Sequence, residues 1–573
     1  MPESAEKNTA VKESPAEASA GKASVSAADV AGAVWAFVQK WGWAFLLLLA
    51  VVIIGYYTLL PSRGYFHSDS TDTLMWAVAS NESGTLFNPD FDYACLLPFS
   101  TTLIMTALIP ITGISMTTHI IGMFCFFLLF TGSMIWMLRK MNWTWGWTSV
   151  AVFTVLMICS GSDKLREIFW GHTIYYSLGV LFIFVGLALL FTHMDLQAKR
   201  DSLRDSDDAA AKKKSWTKLI ICTVLIGVWF LLTCMNQIIA ITIFALPVMA
   251  AVFCERWLDR ETAPISRKNG RALIVFLVMA VGMVLGYLLT NVLAKGIIAG
   301  YEGAYSNYSG MDKWLDNLMN FPNAWLSLLG VSVYDGDKLL SVDSVKNLLL
   351  IITGIIILVL PMAGLCCYKK IEDVKMRLLL LTHGFMVMLV MMGYVLGKLS
   401  NANWRLSPIV AMSALTTIAF IRWAAGQVSL QRFFTMLMIP IMLVCSVTTV
   451  NIAKMPPDNT EDSHLYKFAE ALEDRNLTYG YATFWNANGL TVVSDSKVKC
   501  RSVTIDENGY RPYYYQGCHS WYDNQPGQPQ YFLLMSQYER QLLVDADTPL
   551  LDYVKQEFSI DGYIVWVFNE NIF

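Results

Sequence analysis

Apolar residues in this chain gather into long runs separated by polar segments. The runs cover residues 42–60, 114–138, 146–161, 173–192, 217–233, 236–254, 273–295, 347–367, 378–397, 408–423 and 434–452. A helix needs about 20 mostly apolar residues to cross a hydrocarbon layer roughly 30 Å thick. The eleven runs come close to or exceed that length, so each is predicted to span. A further apolar stretch, 97–112, carries Pro98 near its start and Pro110 near its end. At that length it is expected to be a re-entrant or interfacial helix.

Beyond residue 453 the long runs stop. A helical pattern over His464–Glu473 is followed by β-leaning stretches at Tyr479–Phe484, Leu490–Ser494, Val498–Val503, Tyr531–Met535 and Tyr563–Phe568, with a second helix expected around Thr548–Gln556. This reads as a small α/β domain. The predicted fold is thus a mainly α polytopic membrane protein of about eleven transmembrane helices with a small extracytoplasmic α/β C-terminal domain. Its plan is a tail (1–35), a transmembrane region (36–452) and the C-terminal domain (453–573).

The direction of the spans follows from the loops, because Lys and Arg favour the cytoplasmic side. Arg139 and Lys140 fall in one loop. Lys199, Arg200, Arg204, Lys212, Lys213 and Lys214 fall in the next loop of the same side. The loops 255–272 and 368–377 continue the series, while the long opposite loops 61–113 and 296–346 are poor in Lys and Arg for their length. The expected orientation puts the N-terminus inside. It puts the loops 61–113, 159–172 and 296–346 outside, together with residues 453–573.

Composition agrees with this picture. The 573 residues are 55% hydrophobic and 15% charged, against about 25% charged in average soluble domains. A net charge of −3 gives no reason to expect nucleic acid. Residues 1–30 are Ala, Ser, Glu and Lys without aromatics, a composition expected to stay disordered. No cleavage pattern precedes Arg63, so the first apolar run is expected to remain as a span. Most of the eleven cysteines lie in apolar runs. Cys500 and Cys518 do not, and a disulfide or two free thiols are both open there.

Three segments carry candidate chemistry. The first is Phe66-His67-Ser68-Asp69-Ser70-Thr71-Asp72, where Asp69 and Asp72 share a face if the segment is helical. A carboxylate at a membrane surface can act as a general base, but Asp69 would also serve as an N-cap and Asp72 as a first-turn acid. The second is the short loop with Asp163, Lys164, Arg166, Glu167 and His172. The third is Lys398, Asn401, Asn403, Trp404, Arg405 and Pro408, where Arg405 suits a phosphate or snorkels to headgroups. Aromatic and acidic residues of 296–346 (Tyr301, Tyr305, Tyr308, Asp312, Asp316, Asp335, Asp337) suit an interfacial belt.

In their order, these segments resemble the GT-C superfamily of membrane glycosyltransferases: HSDSTD, SNESGTLFNP, LLPFSTTLIMTALIPITGIS, IWMLRK, SGSDKLREIFWGH and the late NWRLSPIVAMSAL. The resemblance covers roughly residues 40–450 in architecture. It implies inverting transfer of a sugar from a polyprenyl-phosphate carrier to an extracytoplasmic acceptor. Asp69 or Asp72 would be the base, with the count to Gly84 favouring Asp69. Glu167 or Asp163 would be a supporting carboxylate, with His172 and Asn403 nearby in the sequence pattern. Arg405, with Lys398, would stabilise the phosphate leaving group. The tandem Asp-Glu of protein mannosyltransferase-like members is absent, and Asp-Ser-Thr-Asp stands in its place. A divalent cation is left open by the resemblance and required by no visible pattern.

Two other classes compete. A transporter or flippase would carry ionisable groups in mid-span and broken helices in two repeats. His119, Asn236 and His383 are the polar exceptions within the spans, and no internal repeat is visible. A non-catalytic envelope-assembly protein would use the outer domain for binding alone.

Overall fold

The computed structural model describes residues 27–173, 176–204, 207–258, 267–297, 307–333, 341–427 and 429–573. Residues 1–26 of the expected tail, and Tyr301, Tyr305, Asp335 and Asp337, lie outside them. The tail expectation fails for 27–35, where a continuous helix Ala27–Leu59 has already begun.

Among the described residues ten helices are long and apolar enough to cross a bilayer. They are Lys40–Leu59, Met116–Lys140, Tyr176–Ser202, Ala209–Cys234, Gln237–Trp257, Gly270–Leu293, Val342–Cys366, Val374–Val395, Asn403–Ala425 and Gln431–Ala453. The remaining run forms a shorter helix, Trp145–Ile158, which bends by 112° into Asp163–Gly171. The apolar stretch after residue 97 gives the helix Thr102–Thr112. Eleven residues reach only about 16 Å, half the hydrocarbon thickness. Asn236 fixes the approach to it, accepting from Phe99 N (3.0 Å) and donating to Phe99 O (2.8 Å).

Small residues set the tightest crossing, between Ala209–Cys234 and Arg267–Leu293. A Cβ on Gly286 would lie 2.2 Å from Leu231 O, and one on Gly282 would lie 2.6 Å from Gly227 O. In an apolar medium, close backbone approach of this kind is what holds helices together. The segment 296–346, expected as a loop, contains the helix Trp314–Leu328, whose Trp325 donates to Gly354 O (3.2 Å).

The C-terminal region forms a six-stranded mixed sheet, β1 (Tyr479–Thr483), β2 (Lys499–Asp506), β3 (Gly509–Pro512), β4 (Tyr531–Met535), β5 (Gln556–Ile560) and β6 (Tyr563–Phe568), in the order β3-β2-β1-β4-β6-β5. β1 runs parallel to β2 and β4, and the other pairs are antiparallel. Two sequence expectations fail here. Leu490–Ser494 is not a strand; its β-branched residues finish the helix Phe484–Val493, where Leu490 and Val492 are fully buried. The helix expected around Thr548–Gln556 is not there; a helix lies instead at Gln537–Asp545, started by a capping box in which Ser536 and Glu539 satisfy each other's backbone N–H. Thr548–Gln556 holds only a 3-10 turn, Pro549–Tyr553, before β5.

The hydrophobic core of this region does not stop at residue 453. Phe66, Leu74, Trp76, Phe87, Phe91, Tyr93 and Met116 form one continuous cluster with Leu465, Leu490, Trp521 and Phe532. Backbone pairing seals the seam: Asp92 N donates to Gly517 O (3.1 Å), Gln516 N to Asp92 O (2.9 Å) and His519 N to Asp90 O (2.9 Å). Cys500 and Cys518 are both buried and are not bonded to each other in this structure. Cys518 pairs across the seam with Phe91, its thiol between Asn88 Nδ2 (3.6 Å) and Glu82 Oε2 (3.7 Å), whereas Cys500 lies inside the sheet on β2. Burial pushes both thiols up.

Candidate functional site

At the end of the bundle that carries the sheet, two segments separated by about a hundred residues meet. Where Trp145–Ile158 stops, Ser160 Oγ donates back to Leu156 O (2.7 Å), and Ser162 Oγ then caps a new turn by accepting from Leu165 N (3.1 Å). This short helix, Asp163–Arg166, runs into a π turn at Glu167–Gly171, a geometry that recurs at functional sites. The other segment is the 3-10 turn Ser68–Thr71, leading into the helix Asp72–Ser83. The helix Phe484–Val493 of the C-terminal region packs over that turn.

Between them lies a cavity of about 190 Å³, lined by Tyr57, Ser62, Tyr65, Phe66, His67, Ser70, His119, Asp163, Arg166, Glu167 and Gly171. Glu167 is its hub. Oε2 accepts from Lys164 Nζ at 2.6 Å, while Oε1 lies 3.3 Å from His172 Nε2 and 3.6 Å from His67 Nε2. Burial alone would raise the Glu167 carboxyl. The bonds from His172, His67 and Lys164 outweigh it and hold the group well below the usual carboxylate range. Arg166 pairs with Asp163, donates to Ser160 O (2.9 Å) and packs over the Tyr57 ring (5.6 Å). The rim includes Trp485, an exposed indole whose ring centre is 6.5 Å from that of His67.

The two aspartates singled out by the sequence have different surroundings. Asp72 is buried at the start of its helix, and burial, with the charge of Asp69 adding, pushes its carboxyl well up. Burial at this position therefore favours the neutral carboxyl over the carboxylate. Asp69 is half-buried in the turn. It is not among the cavity-lining residues, although His67 and Ser70, on either side of it in the chain, are.

Glu167, Asp163 and His172 are brought together as one cluster. Arg405, Lys398 and Asn403 form a separate group on the same end of the bundle. Arg405 donates to Lys398 O (2.6 Å), Lys398 Nζ lies 5.6 Å from the Tyr308 ring centre, and Asn403 donates to Ser327 Oγ (3.0 Å). None of the three lines the cavity. The helix Trp314–Leu328 links the two groups, since Ser162 Oγ donates to Leu328 O (2.7 Å).

Sequence reasoning does not single out His67 or Trp485, and names His119 only as a polar exception within a span. His67 stands beside Asp69 in the same acidic segment, but only its contact with Glu167 gives it a role. His383 is packed, 2.8 Å from Ser413 Oγ. Among the described residues no group of three His, Cys, Asp or Glu side chains is arranged to hold a metal ion.

Fold and site define a polytopic membrane protein with a charged cavity at one end of its bundle, beneath a mixed α/β region that shares a core with the first long loop. No protein-family model matches the chain, and no curated protein matches it. Among solved structures, ArnT from Cupriavidus metallidurans bound to undecaprenyl phosphate is similar in overall shape. The TM-score is 0.49 and the identity 9%, over 92% of this chain and 98% of that one.

Proposed function

We propose that the chain is a membrane glycosyltransferase that moves a sugar from a polyprenyl-phosphate carrier to an acceptor on the extracytoplasmic side, with inversion. The observation that carries this reading is the cavity itself. It gathers an ionised Glu167, Arg166 and His67, with Lys164 held on Glu167 at 2.6 Å, at the end of a bundle whose apolar helices suit a lipid-linked donor. The distribution of Lys and Arg among the loops supports placing this end outside.

In this reading Asp69 is the base toward the acceptor, because Asp72 is buried, where desolvation disfavours its carboxylate form. Glu167 is a positioning residue that fixes Lys164 and the two imidazoles. Lys164 and Arg166 supply positive charge where the phosphate leaving group develops negative charge, with Arg405 and Lys398 candidates for the rest of the carrier. A second reading makes His67 the base, favoured by its place on the cavity wall 3.6 Å from Glu167.

The test is a reconstituted assay that follows release of polyprenyl phosphate from a panel of polyprenyl-phosphate sugars. Asp69→Asn is expected to lower turnover by about 10²–10⁴-fold, the usual worth of a general base, with membrane insertion unchanged. Full turnover in Asp69→Asn together with loss in His67→Asn would move the base to His67. No release from any donor by the wild-type protein would overturn the glycosyltransferase reading.

A further inference from the structure

The opposite end of the bundle carries a second pocket that the proposed reaction does not use. It has a volume of about 410 Å³ and is lined by Arg200, Asp201, Arg204, Lys212, Trp216 and Arg271. Three helices bring these residues together: the end of Tyr176–Ser202, the start of Ala209–Cys234 and the start of Arg267–Leu293. The first of these begins close to the Glu167 cavity, so its 27 residues separate the two pockets by about 40 Å.

The lining holds four cationic side chains against one carboxylate, Asp201, which pairs with Arg271 at 2.5 Å. Asp208, on the connecting segment, is turned to its own helix, capping Ala211 N (2.9 Å). Arg200 lies 4.0 Å from the centre of the Trp216 ring, which is itself exposed. Guanidinium groups fit phosphate through paired N–H donors, and an exposed tryptophan at a helix end marks headgroup depth. Immediately along the same two helices the surface turns apolar and exposed, at Ile220, Ile221 and Val224 on one and at Ile274, Leu277 and Val281 on the other.

We propose that this pocket binds the phosphate-bearing headgroup of an anionic phospholipid, whose acyl chains run along the exposed apolar strip of Ala209–Cys234 and Arg267–Leu293. The basic lining selects the phosphate, and among the described lining residues only the already paired Asp201 is anionic, which is why an anionic lipid is favoured over a zwitterionic one. The strip is what a free phosphate would leave unused. Basic pockets between spanning helices are suited to this chemistry.

The test uses the full-length protein in detergent, supplied with phosphatidylglycerol, phosphatidylcholine or inorganic phosphate, and reads bound lipid by native mass spectrometry. Phosphatidylglycerol should be retained over phosphatidylcholine, and less so as ionic strength rises. At about fivefold per cation near an anionic headgroup, Arg204→Gln should weaken retention about fivefold. Arg204→Gln with Lys212→Gln should weaken it roughly thirtyfold. Arg432→Gln, an exposed change outside the pocket, should leave it unaltered. Equal retention of the two lipids, or unchanged retention in both pocket variants, would overturn the proposal. Inorganic phosphate stabilising the protein as much as phosphatidylglycerol would assign the pocket to a free anion and overturn the lipid.

Discussion

The molecule has two hydrophobic cores that are built differently. The bundle core packs helix on helix through Phe, Met, Leu and small residues, and its hydroxyls mostly bond back to their own helix, as Thr416 does to Met412 O (2.7 Å). The second core joins the segment from Phe66 to Met123 with the C-terminal sheet. Asp72 is buried in it, and Glu82 at its edge accepts from Trp521 Nε1 at 3.2 Å. The bundle core is one a lipid environment would assemble by itself. The second depends on two distant parts of the chain finding each other, and the turn Ser68–Thr71 on the cavity wall is held at their seam.

That contrast can be broken most strongly at Trp76, which is 2% exposed in the second core. Trp76→Ala should cost about 3–5 kcal/mol, read by thermal melting, and should lower activity with it because the cavity wall rests on the seam. Retained activity with lowered stability would show that the cavity does not depend on the second core. A smaller effect is expected from Glu167→Gln. Losing the charge that orders Lys164, His67 and His172 should lower turnover about 10²-fold and lower melting less than Trp76→Ala does, since the folded state holds this carboxyl below its ordinary range.

The smallest effect is expected at Asp72. Its folded carboxyl is raised, whereas the unfolded group titrates near 3.9. The folded state therefore keeps a proton the unfolded state has released, and stability falls as pH rises above about 3.9 toward the raised value. Asp72→Asn should remove that slope, leave melting equal or slightly higher at neutral pH, and preserve turnover. A large loss of turnover would make Asp72 a candidate base again.

The spans are legible because crossing a bilayer is a matter of local length and composition, and ten of the eleven runs are long apolar helices. The run at 146–161 reads as straight because no proline or strong breaker marks the bend; it is Ser160 and Ser162, through side-chain bonds to the backbone, that end one helix and start the next. Leu490–Ser494 reads as a strand because β-branched residues favour extended backbone, yet burial between sheet and first loop holds it as helix. At the site, the sequence marks Glu167, Asp163 and His172 in one short loop. It cannot show that His67 reaches Glu167 across a hundred residues, or that Arg405 belongs to a separate group.

By itself, then, the sequence determined that this is a multi-span membrane protein with a polar α/β region after its last span, because hydropathy acts residue by residue. It also supplied the set of charged residues at each end. Which of those charges share a cavity was decided only in three dimensions. So was the difference between Asp69 and Asp72, three positions apart. A carboxylate's protonation depends on what covers it, and here the cover comes from a part of the chain more than four hundred residues away.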